Sequence, residues 1–151
     1  MVAVVSTHLS SEAQTIFNLA KEFSRQYGLS HVGTEHLLLA ILGETEGLGA
    51  RVLADLGVDQ DAAKERIDEL LKLRSHESWV MGRLPGTPHF RDVISRAAEQ
   101  AKGGGNWQVR SEHLVLALLA EPQSIGCQAL QALGVTLDAA RKALARHRMR
   151  A

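Results

Sequence analysis

The amino-acid sequence predicts an all-α fold in which two tandem four-helix repeats pack with pseudo-twofold symmetry. Three observations carry this reading. The chain aligns with itself at a fixed offset, its apolar residues recur at three- and four-residue steps, and helix-capping and helix-stopping residues fall at matching places in both copies. At an offset of 77 residues, Ser10 to Leu71 lies on Thr87 to Arg148 without a gap, and 19 of the 62 aligned pairs are identical, where chance gives only a few. The strongest blocks are Gly33 to Leu42 against Arg110 to Leu119, and Leu56-Gly57-Val58 against Leu133-Gly134-Val135.

Each copy reads as four helices in order. The first opens at Ser10 or Thr87, residue types whose side-chain oxygen caps a helix, and Pro88 follows Thr87 at the first helical position, where its missing N–H costs nothing. Ile16, Leu19, Ala20, Phe23 and Tyr27 then mark an amphipathic helix running to Gly28. A second helix is expected to take Thr34 or Ser111 as its cap. It is apolar nearly all round, through Leu37 to Leu42 and Leu114 to Leu119, which makes it the buried centre of its repeat. The third runs from about Gly49 to Leu56 and stops at Gly57. Asp59 caps a fourth, polar-faced helix to about Leu71, and Gly134 and Thr136 repeat these signals in the second copy.

The first repeat thus covers residues 9–73 and the second residues 87–148. Neither has apolar surface to spare, so the two are expected to form one compact domain. Residues 74–86 between them, with Ser75, Ser78, Gly82, Pro85 and Gly86, show no sustained period and read as an exposed linker with Trp79 set in a groove.

Composition excludes several classes of function. Lysine and arginine (17) balance aspartate and glutamate (17), so nothing draws the chain in bulk to nucleic acid or an anionic membrane. The basic run Arg141-Lys142 and Arg146 to Arg150 suits a helix C-terminus and lacks interleaved aromatics, so no nucleic-acid partner is expected. The longest apolar run, Leu37 to Leu42, is too short to span a bilayer, and no membrane partner is expected. A single cysteine, Cys127, reads as a buried structural thiol, and with no signal peptide in view the expected setting is the cytoplasm.

Catalytic chemistry finds no foothold either. Gly103-Gly104-Gly105 is followed by Asn106-Trp107 rather than the lysine of a phosphate loop, and it reads as a helix end and turn. Glu35 and His36 are helix neighbours that point about 100° apart and cannot readily share an ion, so His36 and His113 read as core or capping residues. No enzyme activity, metal or cofactor is expected.

The segment Val32 to Leu42, followed by Glu46-Gly47, Ala50-Arg51-Val52-Leu53 and Leu56-Gly57-Val58-Asp59, resembles the repeat of the N-terminal domain of Clp ATPases, the ClpC branch above all. The resemblance runs from about Leu9 to Leu144 and covers both copies. It implies an all-α domain set before the ATPase rings of an unfoldase, where it receives protein substrates and adaptors. With no ATPase modules in the sequence, the chain reads as either an excised domain or a free-standing relative. The leading expectation is substrate or adaptor recognition beside the Clp ATPase machinery of an unfoldase–protease system, by a domain that is monomeric in isolation. The alternative is a free-standing regulatory protein that binds partner proteins without delivering substrates.

The resemblance further implies phosphoarginine, a degradation mark, as a ligand held by a threonine and a glutamate in each repeat. Carried onto this sequence, the positions are Ser10 with Glu35 and Thr87 with Glu112. The chemistry is apt, because a helix N-terminus attracts phosphate and a carboxylate matches the guanidinium fork. These residues equally suit plain capping and the positive end of a helix, and the sequence leaves both readings open. The second copy departs from the family pattern with Arg110 in place of glycine and Ser111 in place of threonine. Arg110 is expected to ion-pair with Glu112 and so modulate the second pocket.

Overall fold

The computed structural model describes residues 9–26, 32–81, 87–102 and 108–150, without the side chains of residues 73–89, 91, 149 and 150. Among the described residues the chain forms helices α1 (Ser11–Gln26), α2 (Thr34–Gly43), α3 (Leu48–Asp55), α4 (Gln60–Met81), α5 (Thr87–Lys102), α6 (Ser111–Leu119), α7 (Ile125–Ala132) and α8 (Leu137–Arg150). Among the described residues the extended segments bridge at the isolated parallel pair Leu9 and Val109.

Local chemistry accounts for the boundaries. The Ser10 hydroxyl accepts from the Ala13 N–H at 3.0 Å, Asp59 Oδ1 from Ala62 at 2.7 Å, and Thr136 Oγ1 from Ala139 at 3.1 Å, so these three cap α1, α4 and α8 as their types suggest. Gly57 and Gly134 stop α3 and α7 in the left-handed region, at φ +85° and +86°. In each case the following valine N–H reaches back to a leucine carbonyl at 2.9 Å, the closed turn that a glycine at this position permits.

Two expectations are corrected. Thr34 and Ser111 are not caps but first helical residues, and Gly33 and Arg110 stand in the cap positions without a side-chain cap bond. The two hydroxyls are used elsewhere: Thr34 Oγ1 accepts from the Gly126 N–H at 3.0 Å, and Ser111 Oγ from the Gly49 N–H at 2.8 Å. The linker expected over residues 74–86 begins as helix, because α4 runs on to Met81. No glycine or proline interrupts the chain between Leu71 and Gly82, so nothing breaks the helix where the apolar period fades. The Trp79 side chain lies outside the described residues.

Packing exchanges elements between repeats. α3 packs on α6 and α7 on α2, while α4 packs on α7 and α8 on α3, each pair the counterpart of the other under the 77-residue offset. α2 is buried from Thr34 to Leu42, and in α6 Leu38's counterpart Val115 is 2% exposed. Cys127 is buried in the same core, its Sγ 3.6 Å from the Leu119 carbonyl, and burial pushes its thiol pKa up.

The heads of α2 and α6 are secured by histidines. His36 Nδ1 accepts from the Gly33 N–H at 2.8 Å, and His113 Nδ1 from the Arg110 N–H at 3.0 Å, the backward half of a capping box. Both acceptors require a neutral ring. Burial pushes the His36 pKa from 6.5 down to about 4, and burial lowers that of His113 against the opposing pull of Glu112. A group depressed in the folded state binds protons more readily when unfolded. The His36 contribution is therefore intact above about pH 6.5 and is lost as pH falls toward 4.

Urea unfolding should show about 2 kcal/mol less stability at pH 5 than at pH 7 from His36. His36→Gln, which keeps an acceptor for the Gly33 N–H, should flatten that slope, and an unchanged slope would place the titration elsewhere. A second prediction concerns the exchange contacts. A Cβ on Gly49 would stand 2.9 Å from the Ser111 carbonyl oxygen, and one on Gly126 2.9 Å from that of Thr34. Gly49→Ala and Gly126→Ala should each cost about 1–3 kcal/mol, against near neutrality for an exposed helical substitution such as Glu65→Ala, as read by thermal unfolding.

Candidate functional site

Ser10, Glu35 and Glu112 stand at helix heads, and the structure sets Ser10 beside the head that carries Glu112 rather than the one that carries Glu35. A Cβ on Gly43 would touch the Leu19 side chain at 3.6 Å, and one on Gly47 would lie 3.2 Å from the Glu12 carboxyl carbon. The chain leaving α2 therefore runs from the middle of α1 toward its start, so α1 and α2 are antiparallel. Glu35, at the start of α2, belongs to the far end of α1, a helix of 16 residues and so about 24 Å long. Ser10 and Glu35 are not brought together.

What meets the head of α1 is the head of α6 in the other repeat. The Ser10 N–H donates to the Val109 carbonyl at 3.1 Å and the Ser10 hydroxyl donates to the same oxygen at 2.9 Å. Glu12 Oε1 accepts from the Ser111 N–H at 2.7 Å, putting a carboxylate on the positive end of α6. Ser10 thus shares its end of the molecule with Val109, Ser111 and Glu112. α2 and α5 are in contact as the counterpart pair, and the side chain of Thr87, at the start of α5, lies outside the described residues.

The two glutamates sit differently, and the residue two positions earlier explains why. A Cβ on Gly33 would clash with the Glu35 carboxylate, standing 3.0 Å from its Cδ, so Glu35 is folded back over the bare glycine backbone and is 1% exposed. Arg110 brings a Cβ to the matching position, and Glu112, 7% exposed, is buried with one carboxylate oxygen toward Arg148. The ion pair expected between Arg110 and Glu112 is replaced by another. The exposed Arg110 guanidinium donates to Gln108 Oε1 at 3.4 Å, and the cation facing Glu112 is Arg148 on α8, with Nη2 3.9 Å from Oε2. Arg110 shapes this end through its Cβ and through its charge beside His113, whose pKa it helps to lower.

Sequence reasoning missed Glu12 and Arg148. Glu12 is an acidic residue in the first turn of its own helix and carries no further local signal, and Arg148 lies in the basic run that suits the C-terminal end of α8. Only the exchange of helices between repeats gives them partners. Among the described residues no group of His, Cys, Asp and Glu is arranged to hold a metal ion, and no helix is long and apolar enough to cross a membrane.

Known proteins share this pattern. The profile of the Clp repeat (R) N-terminal domain matches residues 8–88 and again residues 85–150, one match per repeat. The chain is 31% identical over 134 residues to Chaperone protein ClpC1, chloroplastic, of Oryza sativa subsp. japonica, covering 89% of this chain and 14% of that protein. It is 30% identical over 133 residues to Negative regulator of genetic competence ClpC/MecB of Bacillus subtilis, covering 88% of this chain and 16% of the relative. It is 29% identical over 133 residues to Chaperone protein ClpB of Oceanobacillus iheyensis, again 88% of this chain and 16% of the relative. The chain therefore spans about a seventh of the length of these relatives. With two matched repeats and the helix order described above, it belongs to the Clp repeat (R) N-terminal domain family.

Proposed function

We propose that this domain binds protein substrates or adaptors for an ATP-dependent Clp unfoldase, at the two places where the head of a first helix meets the head of a second helix from the other repeat. The observation that carries the reading is the junction of Ser10 with Val109, which sets the start of α1 beside the start of α6 and its Glu112. One end offers backbone N–H groups to an anion and the other a carboxylate to a cation. Phosphoarginine carries both charges on one side chain, so it satisfies both heads at once.

The pockets then consist of Ser10 with Glu112 and, by the internal symmetry, Thr87 with Glu35. At the first, the hydroxyl of Ser10 is engaged in holding Ala13 and Val109, so the phosphate acceptors would rely on the N–H groups of Ser11 and Glu12 at the start of α1. At the second, the residue matching Ser11 is Pro88, which has no N–H to give. Glu35 must also swing away from Gly33 to meet a ligand, whereas Glu112 need only leave Arg148.

Phosphoarginine should bind more tightly than arginine or phosphoserine. Glu112→Ala and Glu35→Ala should each weaken their own site by about ten- to a hundredfold, in keeping with charge-assisted hydrogen bonds. The cross-repeat pairing has a separate test. Ser11→Pro deletes one N–H at a position where proline is tolerated. Calorimetry should show it weakening binding in a Glu35→Ala background and leaving binding unchanged in a Glu112→Ala background. The reverse pattern would restore pairing within a repeat.

A further inference from the structure

The internal repeat supplies its own control for the surroundings of Glu112. The turn of α8 that carries His147 and Arg148 corresponds to Leu70 and Leu71 of α4. Those two are partly buried apolar residues packed against the core. In the second repeat the same turn is held instead by polar contacts. His147 Nε2 and Asp55 Oδ2 share a hydrogen bond of 2.5 Å that ties α8 to the end of α3 in the first repeat, and Arg148 reaches Glu112. The position matching Asp55 is Ala132, so the first repeat has no such tie.

Below this turn α8 is anchored by Ala140, Ala143 and Leu144. There Glu112 packs with Gly49, Val52, Val115, Leu116, Ala140 and Leu144 around a gap too tight for a water molecule. The Arg148 side chain is 58% exposed and that of Glu112 8% exposed, so the guanidinium covers a carboxylate that has little other access to solvent.

We propose that Arg148 is a tethered occupant of the Glu112 carboxylate, so that this pocket takes a ligand's guanidinium only when the His147–Arg148 turn of α8 lets go. The proposal rests on the reading of Glu112 as the guanidinium-binding carboxylate. A carboxylate matches one guanidinium fork at a time, and a second cation brought beside the first is repelled. The resident group is joined to the same chain and competes at a high effective concentration, which a free ligand must overcome. The His147–Asp55 bond supports the occupant by fixing the turn, and the residue that matches Arg148 in the first repeat is the apolar Leu71.

The test is calorimetric titration of free phosphoarginine into the whole domain in a Glu35→Ala background, which leaves the Glu112 site to be read alone. Arg148→Ala, and Arg148→Leu after the first repeat, should tighten binding roughly three- to tenfold, the scale of a partly exposed ion pair. Asp55→Ala should give a smaller gain in the same direction, and Glu112→Gln should abolish both gains. Unchanged affinity in Arg148→Ala, with the background protein binding measurably, overturns the proposal and leaves the pocket reading intact. Weaker binding in Arg148→Ala also overturns it, by making Arg148 a ligand contact. If the protein with both glutamates intact and every variant fail to bind phosphoarginine, the pocket reading falls and this proposal with it.

Discussion

The fold depends on a reciprocal pair of buried hydrogen bonds between repeats. Thr34 holds the N–H of Gly126 and Ser111 holds the N–H of Gly49, each a hydroxyl on the first turn of a central helix reaching the first turn of the partner repeat's third helix. The bonds require a backbone approach that only glycine allows, since any Cβ at either position would press on the opposite carbonyl. Each bond contributes only about 0.5–1.5 kcal/mol net, but a buried N–H left without its acceptor costs about 1–3 kcal/mol, so the arrangement resists partial loss. Because the third helix of each repeat completes the core of the other, the two copies form a single core rather than two stacked bundles.

That exchange also determines what can be recognised. Joining repeats through the first turns of α2 and α6 goes with the start of α1 set against the head of α6 in the opposite repeat, as the Leu9 and Val109 bridge marks. Helix starts carry unpaired N–H groups and partial positive charge, and several of them meet here. The protein meets part of that demand itself. His36 and His113 hold the cap N–H groups, and Glu12 sits on the start of α6. The start of α1, near the head of α6 that carries Glu112, is where the proposed ligand would sit.

Much of this was legible in the sequence, and the failures share one cause. The repeat, the burial of α2 and α6, the glycine stops at Gly57 and Gly134, and the caps at Ser10, Asp59 and Thr136 all depend on near neighbours in the chain, and local patterns report them. His36 as a capping residue was legible for the same reason. Thr34 looked like a cap because its type and place fit the rule. Its hydroxyl bonds a residue 92 positions away, and no local pattern carries that. That Ser10 meets Val109, 99 positions away, is likewise beyond any local pattern. The extension of α4 past Leu71 was hidden because apolar period was taken as the sign of helix, and a helix can outlast its buried face.

The internal symmetry separates what the frame constrains from what it leaves free. Glycines at 49 and 126, 57 and 134, and the apolar runs of α2 and α6 match because backbone approach and packing leave few alternatives there. At the helix heads the copies diverge in chemistry: Ser11 against Pro88, Glu12 against His89, Gly33 against Arg110, and Leu71 against Arg148. None of these changes alters the helix order, yet each changes a donor, a charge or the space beside a glutamate. Glu35 is tucked over a glycine, and Glu112 faces Arg148, whose counterpart is Leu71. One backbone frame therefore presents two inequivalent ends, with a carboxylate folded over a glycine at Glu35 and a neighbouring guanidinium at Glu112.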